Sequence, residues 1–215
     1  MNDLDSIVFV IEDDASLRLS ITSLLRSVGY AVMDFESTRA FQQADRPDVP
    51  ACLVLDVRLP GKSGLEFQRE LGHIANAPPI IFITGHGDVP MSVAAMKAGA
   101  IEFLTKPFRD QDLLDGIYRA IELDRERRWK VAKSLELRKL AATMTARERE
   151  ILPLIASGKM NKQIAHTLQL SEVTVKAHRA QLMQKLGATS LADLVRLADR
   201  IVAAELEGDG ENTRV

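Results

Sequence analysis

The chain has 215 residues, 46% hydrophobic and 27% charged, the balance of an ordinary globular protein of one or two domains. No run approaches the roughly 18 apolar residues needed to cross a bilayer, and the opening MNDLDSIVFVI carries acids where a leader would carry bases. The expected compartment is therefore the cytoplasm, with no membrane partner; the single cysteine, Cys52, cannot form an internal disulfide and, beside Ala51, Leu53 and Val54, reads as a buried small hydrophobe.

The net charge of −2 conceals two unlike parts. Residues 125–200 hold 16 Lys or Arg against 7 Asp or Glu, while the rest of the chain holds 12 against 23. Such a split suggests an acidic regulatory part and a basic part that binds nucleic acid. The plainer alternative is a solvated basic helix, since residues 125–139 alone supply seven of the sixteen cations.

In chain order, IVFVI (7–11), AVMDF (31–35), CLVL (52–55), IIFIT (80–84) and IEFL (101–104) read as strands. Several lack polar alternation, as parallel strands covered on both faces do. Between them lie amphipathic segments. Leu17, Ile21, Leu24, Leu25 and Val28 recur at helical spacing, and Gly29 stands where a left-handed residue commonly ends a helix. The order βαβαβαβαβα predicts an α/β doubly wound, five-stranded parallel sheet with functional residues at the carboxyl ends of its strands. The last of these helices begins near Gln111, with Leu113, Leu114, Ile117 and Ile121 on one face. It is followed by a charged, largely helical linker (124–142).

An all-α domain is expected over 143–207, with helices at 146–157, 161–168, 172–186 and 191–206. Thr145-Ala-Arg-Glu148 is a capping box, and Pro153 removes a donor inside the first helix. Only Gln169, Leu170 and Ser171 separate the second and third helices, which is a helix-turn-helix spacing with Ser171 as N-cap. At a step of about 100° per residue, Val175, Leu182 and Leu186 form the buried stripe of the third helix. Val173, Lys176, Ala177, Ala180, Gln181 and Gln184 face the other way, small or hydrogen-bonding side chains suited to base edges in a major groove. The tail 208–215 lacks apolar content and is expected to be disordered.

Chemistry concentrates at the strand ends: Glu12, Asp13 and Asp14 after the first, Asp56 after the third, Thr84 closing the fourth and Lys106 after the fifth. Clustered carboxylates repel unless a cation neutralises them, and an all-oxygen site suits Mg²⁺. A cation and a lysine together stabilise charge on a phosphoryl group moving to an aspartate, with Asp56 as the nucleophile and the Thr84 hydroxyl touching the phosphoryl oxygens. The plainer alternative is that the acids cap helices, with Asp13 or Asp14 doing so before Ala15.

The segments VIEDD, LVLDVRLPGKSG, IIFITGHGDVPMSVAAMKAGA and FLTKPF resemble the CheY-like receiver domain of bacterial response regulators, over about residues 5–122 of an expected 1–123 domain. The resemblance implies phosphorylation of Asp56 by a cognate sensor histidine kinase. It implies Mg²⁺ held by Asp13, Asp56, the backbone carbonyl of Arg58 and, through water, Glu12. Thr84 and Lys106 would contact the phosphoryl group, and Phe103 would be the switch aromatic. Glu12 stands where the family usually has a second aspartate, and the Lys106-Pro107 bond is expected to be cis.

The segments TARERE, ASGKMNKQIA, SEVTVKAHRAQLMQKLGA and SLADLVRLA resemble the LuxR-type helix-turn-helix of the NarL/FixJ family, and the receiver is similar to its FixJ branch. By that resemblance Lys176, Ala177 and Ala180 read the groove, while Thr174, Lys162, Asn161 and Arg179 touch phosphates. The same helical arithmetic puts Arg179 at the edge of the buried face. The implied protein is not an enzyme but a transcription factor that dimerises on phosphorylation, binds duplex DNA and acts, as an activator, with RNA polymerase. Two other readings are weaker. A phosphatase of the haloacid dehalogenase type would carry a second acid two residues after its nucleophile, where this chain has Arg58. A receiver whose basic domain binds a protein or RNA is distinguished by salt-dependent binding to duplex DNA.

Overall fold

The structure, a computed structural model, describes residues 5–74 and 76–211. The element order is β1 (Ile7–Ile11), α1 (Ala15–Ser27), β2 (Ala31–Phe35), α2 (Thr38–Gln43), β3 (Ala51–Asp56), α3 (Gly64–Leu71), β4 (Ile80–Thr84), α4 (Val89–Lys97), β5 (Glu102–Thr105) and α5 (Asp110–Ala142). Four further helices follow: α6 (Ala146–Ala156), α7 (Asn161–Leu168), α8 (Glu172–Leu186) and α9 (Leu191–Glu211). Two compact units divide between Trp129 and Lys130.

In the first unit the strands pair in parallel in the order β2-β1-β3-β4-β5. β1, β3 and β4 are buried along their whole length because helices cover both faces. Phe9, Leu53, Leu55 and Phe82 pack with Phe41 of α2 and Phe67 of α3. Val8, Val10, Cys52, Val54, Ile81 and Ile83 pack with Leu25 of α1 and with Leu113, Ile117 and Ile121 of α5. Alternate residues thus feed two cores, and the sheet is doubly wound as expected. Gly29 ends α1 at φ +95°. The strand order reverses between β1 and β3, paired Ile7 to Ala51 through Ile11 to Leu55, so the crevice of such a sheet opens beyond Ile11 and Asp56.

The predicted linker 124–142 is helical throughout but is not free of either core. The Asp124 side chain is fully buried in the first unit. It accepts a 2.9 Å bond from the backbone N–H of Ala51, a 2.8 Å bond from Nε of Arg128 and a bond from Arg127. Arg128 also reaches Asp48. Thirteen residues later, Leu137 and then Ala141 are buried among the helices of the second unit. Between them, residues 125–136 bury no side chain.

In the second unit Thr145 caps α6, and Glu148 closes the box on the Thr145 N–H at 2.7 Å. Burial works against the Glu148 charge, but a 2.6 Å bond from Lys185 Nζ and the backbone bond from Thr145 prevail and hold its carboxyl below the usual range. α7 and α8 are joined by three residues. Gln169 takes the left-handed conformation at φ +53°, and Ser171 caps α8 by accepting from Thr174 N at 3.0 Å. Val175, Leu182 and Leu186 form the buried stripe. α9 runs five residues past the predicted 206, to Glu211, and no proline stands in that stretch to stop it. Of the tail expected to be disordered, residues 208–211 are therefore helical and 212–215 lie outside the described residues.

Candidate functional site

The switch point brings together side chains far apart in the chain. Glu12, one residue beyond β1, is only 1% exposed. Its Oε2 accepts from Lys106 Nζ at 2.6 Å, and the same ammonium donates to Oδ2 of Asp56 at 2.7 Å. Oδ1 of Asp56 accepts the backbone N–H of Arg58 at 2.9 Å, so both oxygens of this carboxylate are oriented by fixed donors. Asp13 completes the group, with one oxygen each from Glu12, Asp13 and Asp56 lying within 4.8 Å of one another. Asp14 stands apart as the N-cap of α1, accepting from Leu17 N at 2.8 Å.

The electrostatics follow from burial and proximity. Burial raises the Glu12 carboxyl above the usual range, the bond from Lys106 offsets only part of this, and the charge of Asp56 adds to the rise. For Lys106, burial works against the charge, but the bonds it donates to the two carboxylates prevail and hold its ammonium above the ordinary lysine value. Three carboxylates around one ammonium leave an excess of negative charge. Their all-oxygen donor set fits a hard divalent cation.

Two features escaped the sequence reading as site elements. Arg18 of α1 donates to the carbonyl of Glu12 at 2.6 Å and pairs with Asp34 at 3.4 Å, pinning the acidic loop. Gly64 brings α3 against the end of β3: a Cβ there would stand 2.4 Å from the Asp56 carbonyl oxygen, a contact no side chain tolerates. Its only signal was the second glycine of LPGKSG.

Thr84 is fully buried, and its hydroxyl contacts the backbone of His86, accepting from N at 3.3 Å and donating to O at 3.4 Å. Phe103 is partly buried, its ring 6.2 Å from that of Phe82. The Lys106-Pro107 bond is cis.

In the second unit, Lys176, Ala177, Ala180 and Gln181 are exposed along one face of α8, and Val173 is 78% exposed. Lys162 is also exposed. Thr174 is half-buried, its hydroxyl 2.8 Å from that of Ser171. Arg179 departs from its expected role at phosphates. It lies four residues after Val175 and three before Leu182, within the buried stripe, and is 9% exposed. Its guanidinium donates to Asn161 Oδ1 at 2.6 Å and to the Lys159 carbonyl at 3.4 Å. Arg179 and Asn161 are thus occupied with each other and tie α8 to the start of α7.

Comparison with known proteins covers both units. Residues 8–118 match the response regulator receiver domain, and residues 142–198 match the bacterial regulatory proteins of the luxR family. Nodulation protein W of Bradyrhizobium diazoefficiens is 53% identical over 196 residues, 91% of this chain and 86% of that protein. The transcriptional regulatory protein FixJ of Rhizobium meliloti is 42% identical over 195 residues, 90% of this chain and 95% of that protein. The solved structure of the response regulator StyR superimposes with a TM-score of 0.81 at 49% identity, covering 91% of this chain and 99% of that one. Among the described residues, no helix is long and apolar enough to cross a membrane.

Proposed function

Because the chain belongs to the response regulators that join a receiver to a LuxR-type DNA-binding domain, we propose that a phosphoryl group on Asp56 controls its engagement of promoter DNA. It is a transcription regulator, not an enzyme. The observation that carries the proposal is the Lys106 ammonium shared by Asp56 and Glu12 at the switch point.

In the transfer, the P–N bond of a phosphohistidine on a cognate sensor kinase breaks and a P–O bond to an Asp56 carboxylate oxygen forms. Asp56 is supplied as an anion with a fixed orientation, and Lys106 is placed to follow the incoming phosphoryl oxygens. Asp13, Asp56 and the Arg58 carbonyl, with Glu12 through water, would hold Mg²⁺, which when bound screens the charge between the phosphoryl group and the acids. Thr84 then turns its hydroxyl from the His86 backbone toward the phosphoryl group, and Phe103 follows. The face formed by α4 and β5 pairs two receivers. Two paired basic domains read two half-sites through Val173, Lys176, Ala177, Ala180 and Gln181, with Lys162 and Thr174 at the phosphates, and present RNA polymerase to the promoter in the cytoplasm.

The test is duplex-DNA binding by phosphorylated and unphosphorylated protein across a salt series. Phosphorylation is expected to tighten binding by roughly 5- to 150-fold, the range of ordinary allosteric coupling. Equal binding by the two forms, or binding indifferent to salt, would count against the proposal.

Arg179→Ala sharpens the reading of the interface. With the strap to Asn161 lost, affinity should fall while the slope of log K against log salt stays at the wild-type value. Removing a true phosphate contact lowers that slope by about 0.9.

A further inference from the structure

Gly87 lies in the loop between β4 and α4, three residues after Thr84 and one before Asp88, the N-cap of α4. It is absent from the glycines with positive φ, so backbone conformation does not call for glycine here. Space does. A Cβ at this position would stand 2.8 Å from Cγ2 of Thr105, 2.9 Å from Cε1 of Phe103 and 3.3 Å from Cγ2 of Thr84. Carbon atoms settle at about 3.5–4.0 Å, so the two shortest contacts lie on the repulsive wall. The Phe103 ring leans on Phe82, and Thr105, though exposed, is β-branched and restricted at χ1. Gly85, two residues earlier in the same loop, has nothing within 4 Å of its own Cβ position.

The three atoms that converge on Gly87 belong to Thr84, to Phe103 and to Thr105, which pairs with Thr84 across β4 and β5. None of them is a carboxylate or the lysine of the acidic pocket, and Thr84 turns its methyl, not its hydroxyl, to Gly87. We propose that Gly87 is a positioning residue of the receiver switch: its bare Cα is the surface on which Thr84 and Phe103 bear, so that the loop and the ring change place only together. This rests on the reading of Thr84 and Phe103 as the switch pair. A side chain at 87 wedges the two apart, and the receiver keeps its phosphoryl chemistry while losing its response to it.

The test uses the full chain as wild type, Gly85→Ala, Gly87→Ala and the double variant Gly87→Ala/Thr105→Ser, which removes the nearest methyl. Each is incubated with Mg²⁺ and acetyl phosphate, with uptake read by intact mass and self-association by sedimentation. All four are expected to take up one phosphoryl group, which also reports that each is folded around Asp56. Wild type and Gly85→Ala should associate on phosphorylation. Gly87→Ala should show a response smaller by about tenfold, and the double variant should recover at least part of it. Wild-type association by Gly87→Ala overturns the proposal, as does an equal loss in Gly85→Ala, which would point to loop stiffness. A double variant no better than Gly87→Ala overturns it too, since crowding is then not the cause. Loss of uptake in Gly87→Ala assigns position 87 to the pocket and overturns it equally. Phosphorylated wild type that does not change its association brings down the switch reading itself, and this inference with it.

Discussion

Asp56→Asn protein incubated with Mg²⁺ and acetyl phosphate is expected to gain no phosphoryl group, while wild type gains one per chain. Asparagine keeps an oxygen for the Arg58 N–H but offers no anionic nucleophile, so uptake should be abolished rather than reduced. The fold should survive. Lys106 retains Glu12, and removing one of three crowded carboxylates relieves repulsion as it removes a bond. Intact mass measures the first expectation and a thermal melt the second. An Asn variant phosphorylated to the wild-type level would place the acceptor elsewhere in the chain.

The second large effect lies at the opposite end of β3. Asp124→Ala removes a fully buried carboxylate, leaving the Ala51 N–H without its acceptor and depriving Arg127 and Arg128 of their shared partner. Breaking a buried pair from one side costs on the order of 3–5 kcal/mol. That is a large share of the roughly 5–15 kcal/mol that holds a domain together. The melting temperature of the first unit should fall by about 10 °C or more, and Asp124→Asn, which keeps an acceptor for Ala51, should lose less. An Asp124→Ala protein melting within about 2 °C of wild type would show that the carboxylate is dispensable.

Asp124 also marks where the sequence stopped being legible. The strands declared themselves as apolar runs because both sheet faces are covered, and the acids after Ile11 and Leu55 stood out because their positions relative to those runs are local properties. The helix-turn-helix was equally plain, since Ser171 and the Val175, Leu182, Leu186 spacing are read within one helix. What failed depends on contacts across the chain. Asp124 looked like one more charge on a solvated helix, since its partner, a backbone N–H of β3, lies 73 residues away. Arg179 looked like a phosphate ligand by charge and by family position, although its place on the stripe already argued for burial. Gly87 could not be told from Gly85 without knowing what stands beside each. Gln169 gave no sign of its left-handed backbone, which glycine or asparagine would have advertised.

The two ends of helix α5 are anchored in packed cores, at Ile121 and Asp124 on one side and at Leu137 and Ala141 on the other, while the three turns between them bury no side chain and are tied down only at their start, by Arg127 and Arg128 on Asp124 and Asp48. A helix of about 12 residues is marginal by itself in water. The amide protons of residues 129–136 are therefore set to exchange with solvent by brief local openings that leave both cores closed, and a protease that needs an unwound chain will find a cleavage site there.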